Sequence, residues 1–406
     1  MNVIVVSCVF PPEPMVSANT SYDIALYLHT NGYNVKVLCP FPNRNVPRKA
    51  RINAEHQFSI HNVRTYTTIK GDMASRFLEN ISFGVGVAFS ILFSRKINVV
   101  YSNTWPIFSS LLIGMACKLK GIALIHSIQD LYPETLVYQK KISDNGILYR
   151  FLMFLEKTSC AFAKKVIVIS DGFREKVVQN RGLLPEKVEL LRNWQDSSSW
   201  AVLSKESAKK KLGLIINRKL ESHKVYVYGG NIGLASGITE LLESWISSGI
   251  DGYLLIAGDG SLVSEIRDTV SRSRVKNVFI ISPWPIEHTS LVYSSADALL
   301  LPIAESQEFA SVPSKLMSYM LSNRPIIMFS QSESASSADL RAAGGGIILN
   351  SFCKIELKKA HEYICSKTEL ELDDMGLLNR KFAEANYCKD YALSRFFKIF
   401  KGVADS

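Results

Sequence analysis

Four hundred and six residues, 47% of them hydrophobic and 21% charged, supply apolar material for two to three domains and exclude a disordered, collagen-like or short-repeat chain. The formal charge of +10 is concentrated early: residues 1 to 200 carry 23 Lys and Arg against 14 Asp and Glu, whereas residues 201 to 406 carry 24 against 23. Such a field suits an anionic membrane surface or a phosphorylated substrate; nucleic acid is not expected as a partner, because no nucleic-acid motif accompanies the charge.

In chain order, β-branched runs at Val3 to Val6, Val35 to Leu38, Val99 to Tyr101, Ala123 to His126 and Val166 to Ile169 alternate with helix-length segments. That is the signature of βαβ units and a parallel sheet. The N-terminal run stops at a proline pair and lacks a basic leader, so it is read as a first strand and not as a signal peptide. The apolar stretch Ile81 to Phe93, flanked by Glu79, Arg95 and Lys96, is too short to span a bilayer and predicts a buried or interfacial helix. Gln195 to Lys224 is polar and reads as a hinge region. The strand pattern then begins afresh at Val225 to Tyr228 and recurs through YLLIA, VFII, ALLL, PIIMF and GIIL. The expected division is an N-terminal domain over 1–196, a linker over 197–222, a second domain over 223–367, and an amphipathic helical segment over 368–406 that could cross back onto the first domain. Seven cysteines without CxxC spacing predict free thiols in a reducing compartment.

Strand-to-helix turns carry the chemistry in open α/β sheets. The first turn, CVFPPEPMVSANT, lacks GxGxxG, which disfavours a dinucleotide enzyme. YGGNIGLASG places Gly229, Gly230, Gly233 and Gly237 ahead of a helix, a loop whose amides could face an anion; Gly233→Val is expected to raise the donor KM. Gly258 lies in a similar but weaker turn, AGDGS. In FASVPSKLMSYML, Pro313 suits a helix's first turn, with Ser314 and the Lys315 cation beside it, and a diphosphate matches that field. HSIQDLYPET sets His126 and Asp130 at a strand end, where Asp130 could orient a sugar hydroxyl or cap a helix, and His126 could be catalytic or simply core. Tyr228, Trp194 and Trp284, the last in ISPWP, are strand-end aromatics that could stack on a base or pack in the core. No DxD pair suits a divalent cation, so neither metal nor cofactor is expected.

These stretches together resemble the GT-B glycosyltransferases of family 4, in particular the bacterial polysaccharide branch that includes N-acetyl-L-fucosamine transferases. FPPEP at 10–14, QDLYPE at 129–134, YGGNIGLASG at 228–237, IAGDGS at 256–261 and VPSKLMSYMLSNRPII at 312–327 carry the resemblance. It implies two Rossmann-like domains facing an interdomain cleft and transfer with retention of configuration, without a metal. It also implies a nucleotide diphosphate sugar donor, UDP-linked by expectation, and a lipid-linked oligosaccharide acceptor for O-antigen or capsule assembly. The enzyme would then sit peripherally on the cytoplasmic face of a bacterial inner membrane.

Lys315, Asp130 and His126 are the expected catalytic residues. Gly230, Asn231, Gly233, Gly258, Trp284, Glu305, Glu308, Val312, Pro313 and Ser314 are expected on the donor side, and Pro12, Glu13, Ser17 and Arg44 on the acceptor side. The chain departs from the family pattern: Asn231 and Ser236 stand where an Arg and a Lys commonly hold the diphosphate, and Ala310 and Ser318 replace paired glutamates. Lys315 would carry more of the phosphate charge, and Glu305 or Glu308 would contact the donor sugar. Two alternatives keep the same residues: a sugar-nucleotide 2-epimerase of the same fold, and a non-catalytic polysaccharide-assembly partner.

Overall fold

The computed structural model describes the chain except residues 14–15, 43–56, 67–72, 104–106, 139, 197–199, 202, 285–287, 305–312, 331–333 and 406, and except the side chains of residues 16, 73, 74 and 235. The chain divides into two units, Met1–Asn193 with Asp390–Ser406, and Trp194–Lys389.

The first unit runs β1 (Asn2–Ser7), α1 (Val16–Thr30), β2 (Asn34–Pro40), β3 (Ser59–Val63), α2 (Met73–Phe93), β4 (Val99–Asn103), α3 (Ile107–Lys120), β5 (Ala123–Ile128), α4 (Glu134–Tyr138), α5 (Ile147–Phe162), β6 (Lys165–Val168), α6 (Asp171–Arg181) and β7 (Val188–Leu190). Its strands form one parallel sheet in the order β3-β2-β1-β4-β5-β6-β7.

The second unit runs α7 (Lys205–Ile216), β8 (Val225–Gly229), α8 (Ile238–Ser248), β9 (Tyr253–Ala257), α9 (Val263–Ser273), β10 (Val278–Ile281), α10 (Thr289–Ser294), β11 (Ala298–Pro302), α11 (Ser314–Leu321), β12 (Ile326–Phe329), α12 (Ala335–Ala343), β13 (Gly346–Leu349), α13 (Lys354–Ser366) and α14 (Glu369–Asn386). Its parallel sheet has the order β10-β9-β8-β11-β12-β13. Helix α15 (Lys389–Ala404) returns to the first unit.

Helices cover both faces of each sheet, which is why the central strands read as continuous apolar runs: β4, β8 and β11 are buried at every position. In each sheet the order reverses once, between β1 and β4 and between β8 and β11. Ligands of such sheets bind beyond the strand carboxyl ends at these reversals.

Three expectations are corrected here. The segment 197–222, read as a linker, falls within the second unit, which begins at Trp194, and it contains α7, capped at its N-terminus by the Ser204 hydroxyl accepting from the Ser207 amide. The lysines of KESAKKK hold the fold together, since Lys209 and Lys205 reach the Asp297 carboxylate at 2.7 and 3.1 Å. Burial alone would raise the Asp297 pKa; these two cations outweigh it and hold the carboxyl below its usual range. The segment 368–406 also divides. Helix α14 stays in the second unit, where Asn379 donates to the carbonyls of Arg324 and Gly345, and only α15 joins the first. Its aromatic residues fix it there: Phe396 meets Tyr101 at 5.2 Å, Phe400 meets Tyr33 at 5.0 Å and Phe397 meets Tyr27 at 5.6 Å between ring centroids.

The third correction concerns α2. Its 21 residues begin well before Ile81, because Arg76 and Glu79, the polar interruption in the sequence, form an ion pair one helical turn apart at 2.7 Å. Ser75–Phe93 is therefore long and apolar enough to cross a membrane by length and composition, with a mean hydropathy of 1.3.

Candidate active site

In the second unit the β8/β11 reversal brings together two turns far apart in sequence. Helix α11 follows β11, and Pro313 is its N-cap, one position before the first helical residue, with φ −62° and ψ 123°. Lys315 and Tyr319 are one turn apart and so share a face of α11. Tyr319 is buried and clamps the end of β8: the Gly229 amide donates to its hydroxyl oxygen at 2.8 Å, and the hydroxyl donates to the Gly229 carbonyl at 3.1 Å. That clamp lays the Lys315 side chain along the Gly230 backbone. Gly230 has φ +132°, and a Cβ there would lie 2.5 Å from Lys315 Cε. The glycine is required both by its backbone conformation and by the lysine stem beside it.

The Lys315 ammonium donates to the Tyr228 hydroxyl and, at 3.4 Å, to the Asn231 carbonyl, and it stands 4.3 Å from the centroid of the Tyr228 ring. All of these partners are neutral, and among the described residues no carboxylate pairs with it. Burial pushes its pKa down to about 8. A half-buried cation whose described partners are dipoles and a π face is suited to an anionic counter-charge. The amides of Ser314 and Lys315 open α11, where no helical carbonyl can reach them, and they add the positive end of the helix dipole.

The glycine turn serves this site differently from the expectation that its amides face the ligand. The Gly230 amide is bonded to Ala257 O at 2.9 Å and the Ile232 amide to Asp259 O at 2.8 Å. These bonds hold the loop against the turn after β9, where a Cβ on Gly258 would fall 1.8 Å from Gly230 O. Gly258 is thus a close-approach residue. Gly233 has an extended backbone, φ −141°, and a Cβ there would meet only the Asn231 side-chain nitrogen, at 2.9 Å. Asn231 itself is exposed at the lip of the turn. The Trp284 indole packs at 5.7 Å against Tyr293 and donates to Thr289 Oγ1 at 3.2 Å, which makes it part of the core cluster on this side of the sheet. Glu305, Glu308 and Val312 lie outside the described residues.

Two participants, Tyr319 and Gln195, were not singled out from sequence, and Tyr228 has a role other than stacking. Tyr319 reads as ordinary core, and its hydroxyl is the only hint of more. Tyr228, read as an aromatic that stacks on a base or packs in the core, takes the second course: it is buried beneath Lys315 and accepts its hydrogen bond. Gln195 donates to Ser318 Oγ at 2.9 Å and to Ser314 O at 3.5 Å, so Ser318 is engaged by a residue more than a hundred positions upstream.

In the first unit, β5 delivers His126 and Asp130 to one small cavity of about 10 Å³, enough for a single water. Ser110, Ser159 and Glu156 share it. Burial lowers the His126 pKa to about 4, leaving the imidazole neutral, and raises Asp130 to about 6. Behind them Arg181 is buried between two carboxylates, bonded to Glu134 and, at 2.8 Å, to Glu156. One guanidinium cannot fully offset the desolvation of both, and burial drives Glu156 up to about 8. On the neighbouring strand ends, Glu13 is buried and its amide donates to Phe10 O at 3.1 Å. Pro12 precedes it in the same turn. The Ser17 carbonyl accepts from Asn103 Nδ2 at 3.3 Å, and the same nitrogen donates to Ser21 Oγ at 2.8 Å. Asn103, at the end of β4, is a further buried polar residue that SNTW in the sequence did not flag. Arg44 lies outside the described residues.

Residues 17–198 match the family model Glycosyltransferase Family 4. A probable glycosyltransferase, WbjE of Pseudomonas aeruginosa, is 22% identical over 307 residues, 75% of this chain and 74% of that protein. Among solved structures, Anabaena Alr3699/HepE in complex with UDP-glucose superposes with a TM-score of 0.70 at 12% identity, over 99% of this chain and 100% of that one. WaaG, a glycosyltransferase involved in lipopolysaccharide biosynthesis, gives a TM-score of 0.67 at 15% identity, over 96% and 98% of the two chains. The two parallel Rossmann-like sheets are thus those of the GT-B fold. The family 4 match is confined to residues 17–198, and with the glycosyltransferase relative it makes the protein a glycosyltransferase of the hexosyltransferase class.

Proposed function

We propose that the protein moves a hexosyl or N-acetylhexosaminyl group, N-acetyl-L-fucosamine among the candidates, from a UDP-linked sugar to a lipid-linked oligosaccharide, with retention of configuration. The reaction would belong to O-antigen or capsule assembly on the cytoplasmic face of a bacterial inner membrane. The observation that carries the donor half of this reading is Lys315, a partly desolvated cation at the sheet reversal whose partners among the described residues are all neutral. Departure of a nucleoside diphosphate develops negative charge on its terminal phosphate oxygens. A preset ammonium and the first amides of α11 are positioned to receive that charge without reorganising. The complexes of HepE with UDP-glucose and the role of WaaG in lipopolysaccharide synthesis support the choice of donor and pathway. On the acceptor side, Asp130 is the carboxylate assigned to orient the attacking hydroxyl, with neutral His126 beside it.

Thermal unfolding in the presence of a panel of nucleotide sugars tests the reading. A UDP-sugar should raise Tm progressively with concentration. If no nucleotide sugar stabilises the folded protein, the donor assignment fails; if the stabilising donor is consumed rapidly without any glycan, epimerisation or hydrolysis replaces transfer.

A further inference from the structure

The outer surface of the first unit contains a feature that donor chemistry does not use. In its sheet, the connections β3 to β4, β4 to β5 and β5 to β6 all step in the same direction, and right-handed crossovers put their helices α2, α3 and α5 in one layer on one face. Helix α3 packs against both of the others. From Ile81 to Phe93 helix α2 carries apolar residues on every side. Its inner face buries Phe83, Val87 and Ile91, yet its outer face exposes Phe77, Val85, Phe89 and Phe93, the last at 79%. A helix with apolar residues on every side needs a second apolar environment outside the protein. The opposite flank repeats the pattern: α5 exposes Ile147 at 88%, with Phe151 and Phe154 following at helical spacing on the same face. Leu119, at the end of α3, is 76% exposed between Lys118 and Lys120.

Charge identifies the occupant. Exposed cations stand on or beside the same three helices: Arg95 and Lys96 after α2, Lys118 on α3, Lys140 and Lys141 before α5, and Arg150 and Lys157 on α5. The acids of these segments are few. Glu79 is paired with Arg76 and Glu156 is buried on Arg181, which leaves Asp144 as the exposed acid among the described residues. Apolar side chains bordered by Lys and Arg fit the headgroup boundary of an anionic bilayer. Helix α2 cannot span that bilayer while its inner face is committed to the core, so it lies in the interface plane.

We propose that the α2-α3-α5 face inserts into the surface of an anionic lipid bilayer, with the exposed aromatic residues of α2 and α5 entering the acyl boundary together. The proposal deepens the lipid-linked reading of the acceptor and rests on it for its purpose, although binding to lipid needs neither donor nor acceptor.

The test is flotation of the full chain with vesicles of phosphatidylcholine alone and with 30% phosphatidylglycerol, free of any glycolipid. The protein should float with the anionic vesicles and less with the neutral ones. The exposed-face variant Phe89→Ser/Phe151→Ser should lose at least about tenfold in partitioning with unchanged circular dichroism, and Lys118→Ala or Lys157→Ala should each lose about fivefold. Phe89→Trp and Phe151→Trp, which keep the bulk, should both be quenched by brominated acyl chains beyond the quenching of the wild-type protein's own tryptophans. No flotation, or flotation without added quenching, overturns the proposal. So does a dimer in free solution that dissociates on Phe89→Ser, since the face would then belong to a second copy. Because these vesicles contain no substrate, failure here leaves the donor reading intact, and failure of donor binding leaves this result standing.

Discussion

Replacing Lys315 by Met should make the protein more stable and much less active. The ammonium is half-buried beside a tyrosine hydroxyl, a carbonyl and an aromatic face, and its pKa falls from 10.5 to about 8. Those contacts return only part of the hydration it gives up. A neutral side chain of similar shape removes the desolvation and should stabilise the fold by roughly 1 to 3 kcal/mol at pH 7, raising Tm by about 2 to 4 °C for each kcal/mol in a unit of this size. The pH dependence has a definite sign. Between about pH 8 and 10.5 the unfolded lysine holds a proton that the folded one has released, so the stability gap between variant and wild type is full below pH 8 and closes by pH 10.5. Turnover should move the other way. On the proposed role of Lys315 in receiving the leaving diphosphate, loss of this one preset charge should lower kcat by about 10²- to 10³-fold. Unfolding by calorimetry and turnover with the stabilising UDP-sugar measure both quantities on one preparation. A Lys315→Met protein that is destabilised, or that keeps its kcat, would refute the view of this lysine as a charge held ready for the donor.

The two glycines that join the loops should separate cleanly: Gly258→Ala, whose Cβ would strike Gly230 O at 1.8 Å, should lower stability by about 3 kcal/mol or more, whereas Gly233→Ala, extended and facing only a flexible side chain, should shift Tm by a few degrees at most. In the first unit, Glu156→Gln should abolish a decline in wild-type stability of roughly 1 to 2 kcal/mol between pH 6.5 and 8. A carboxyl raised to about 8 in the folded state keeps its proton there while the unfolded one has lost it, so stability falls as pH rises; chemical denaturation at both pH values reads the difference.

Sequence pattern reached the architecture because parallel strands covered on both faces must be apolar throughout, and runs such as VIVV and VYVY have few other uses. It singled out Lys315, Gly230 and Pro313, which the structure places around the start of α11, because a proline and a cation opening a helix after a strand carry their own chemistry. It missed α7 and the first turns of α2 for one reason: Lys205, Lys209, Arg76 and Glu79 count as surface charge until their partners, Asp297 and each other, are known. Pairing across a fold is not written in local composition. The same holds for Tyr319 and Gln195, whose roles depend on Gly229 and Ser318 being brought to them. The division of the C-terminal segment was hidden because α14 and α15 are both amphipathic, and only the aromatic set Phe396, Phe397 and Phe400 marks the second as a partner for Tyr27, Tyr33 and Tyr101.

The central claim, that Lys315 meets the diphosphate of the donor, is tested most directly by proton linkage. Calorimetric titration with UDP at pH 8.5, in two buffers of different ionisation enthalpy, counts the protons taken up on binding. A lysine with a pKa of about 8 is mostly neutral at that pH and must recharge against the phosphates, so binding should take up as much as about 0.8 of a proton in the wild type and none in Lys315→Met. Equal proton uptake by both proteins, or UDP binding of equal affinity with no uptake by either, would contradict the account.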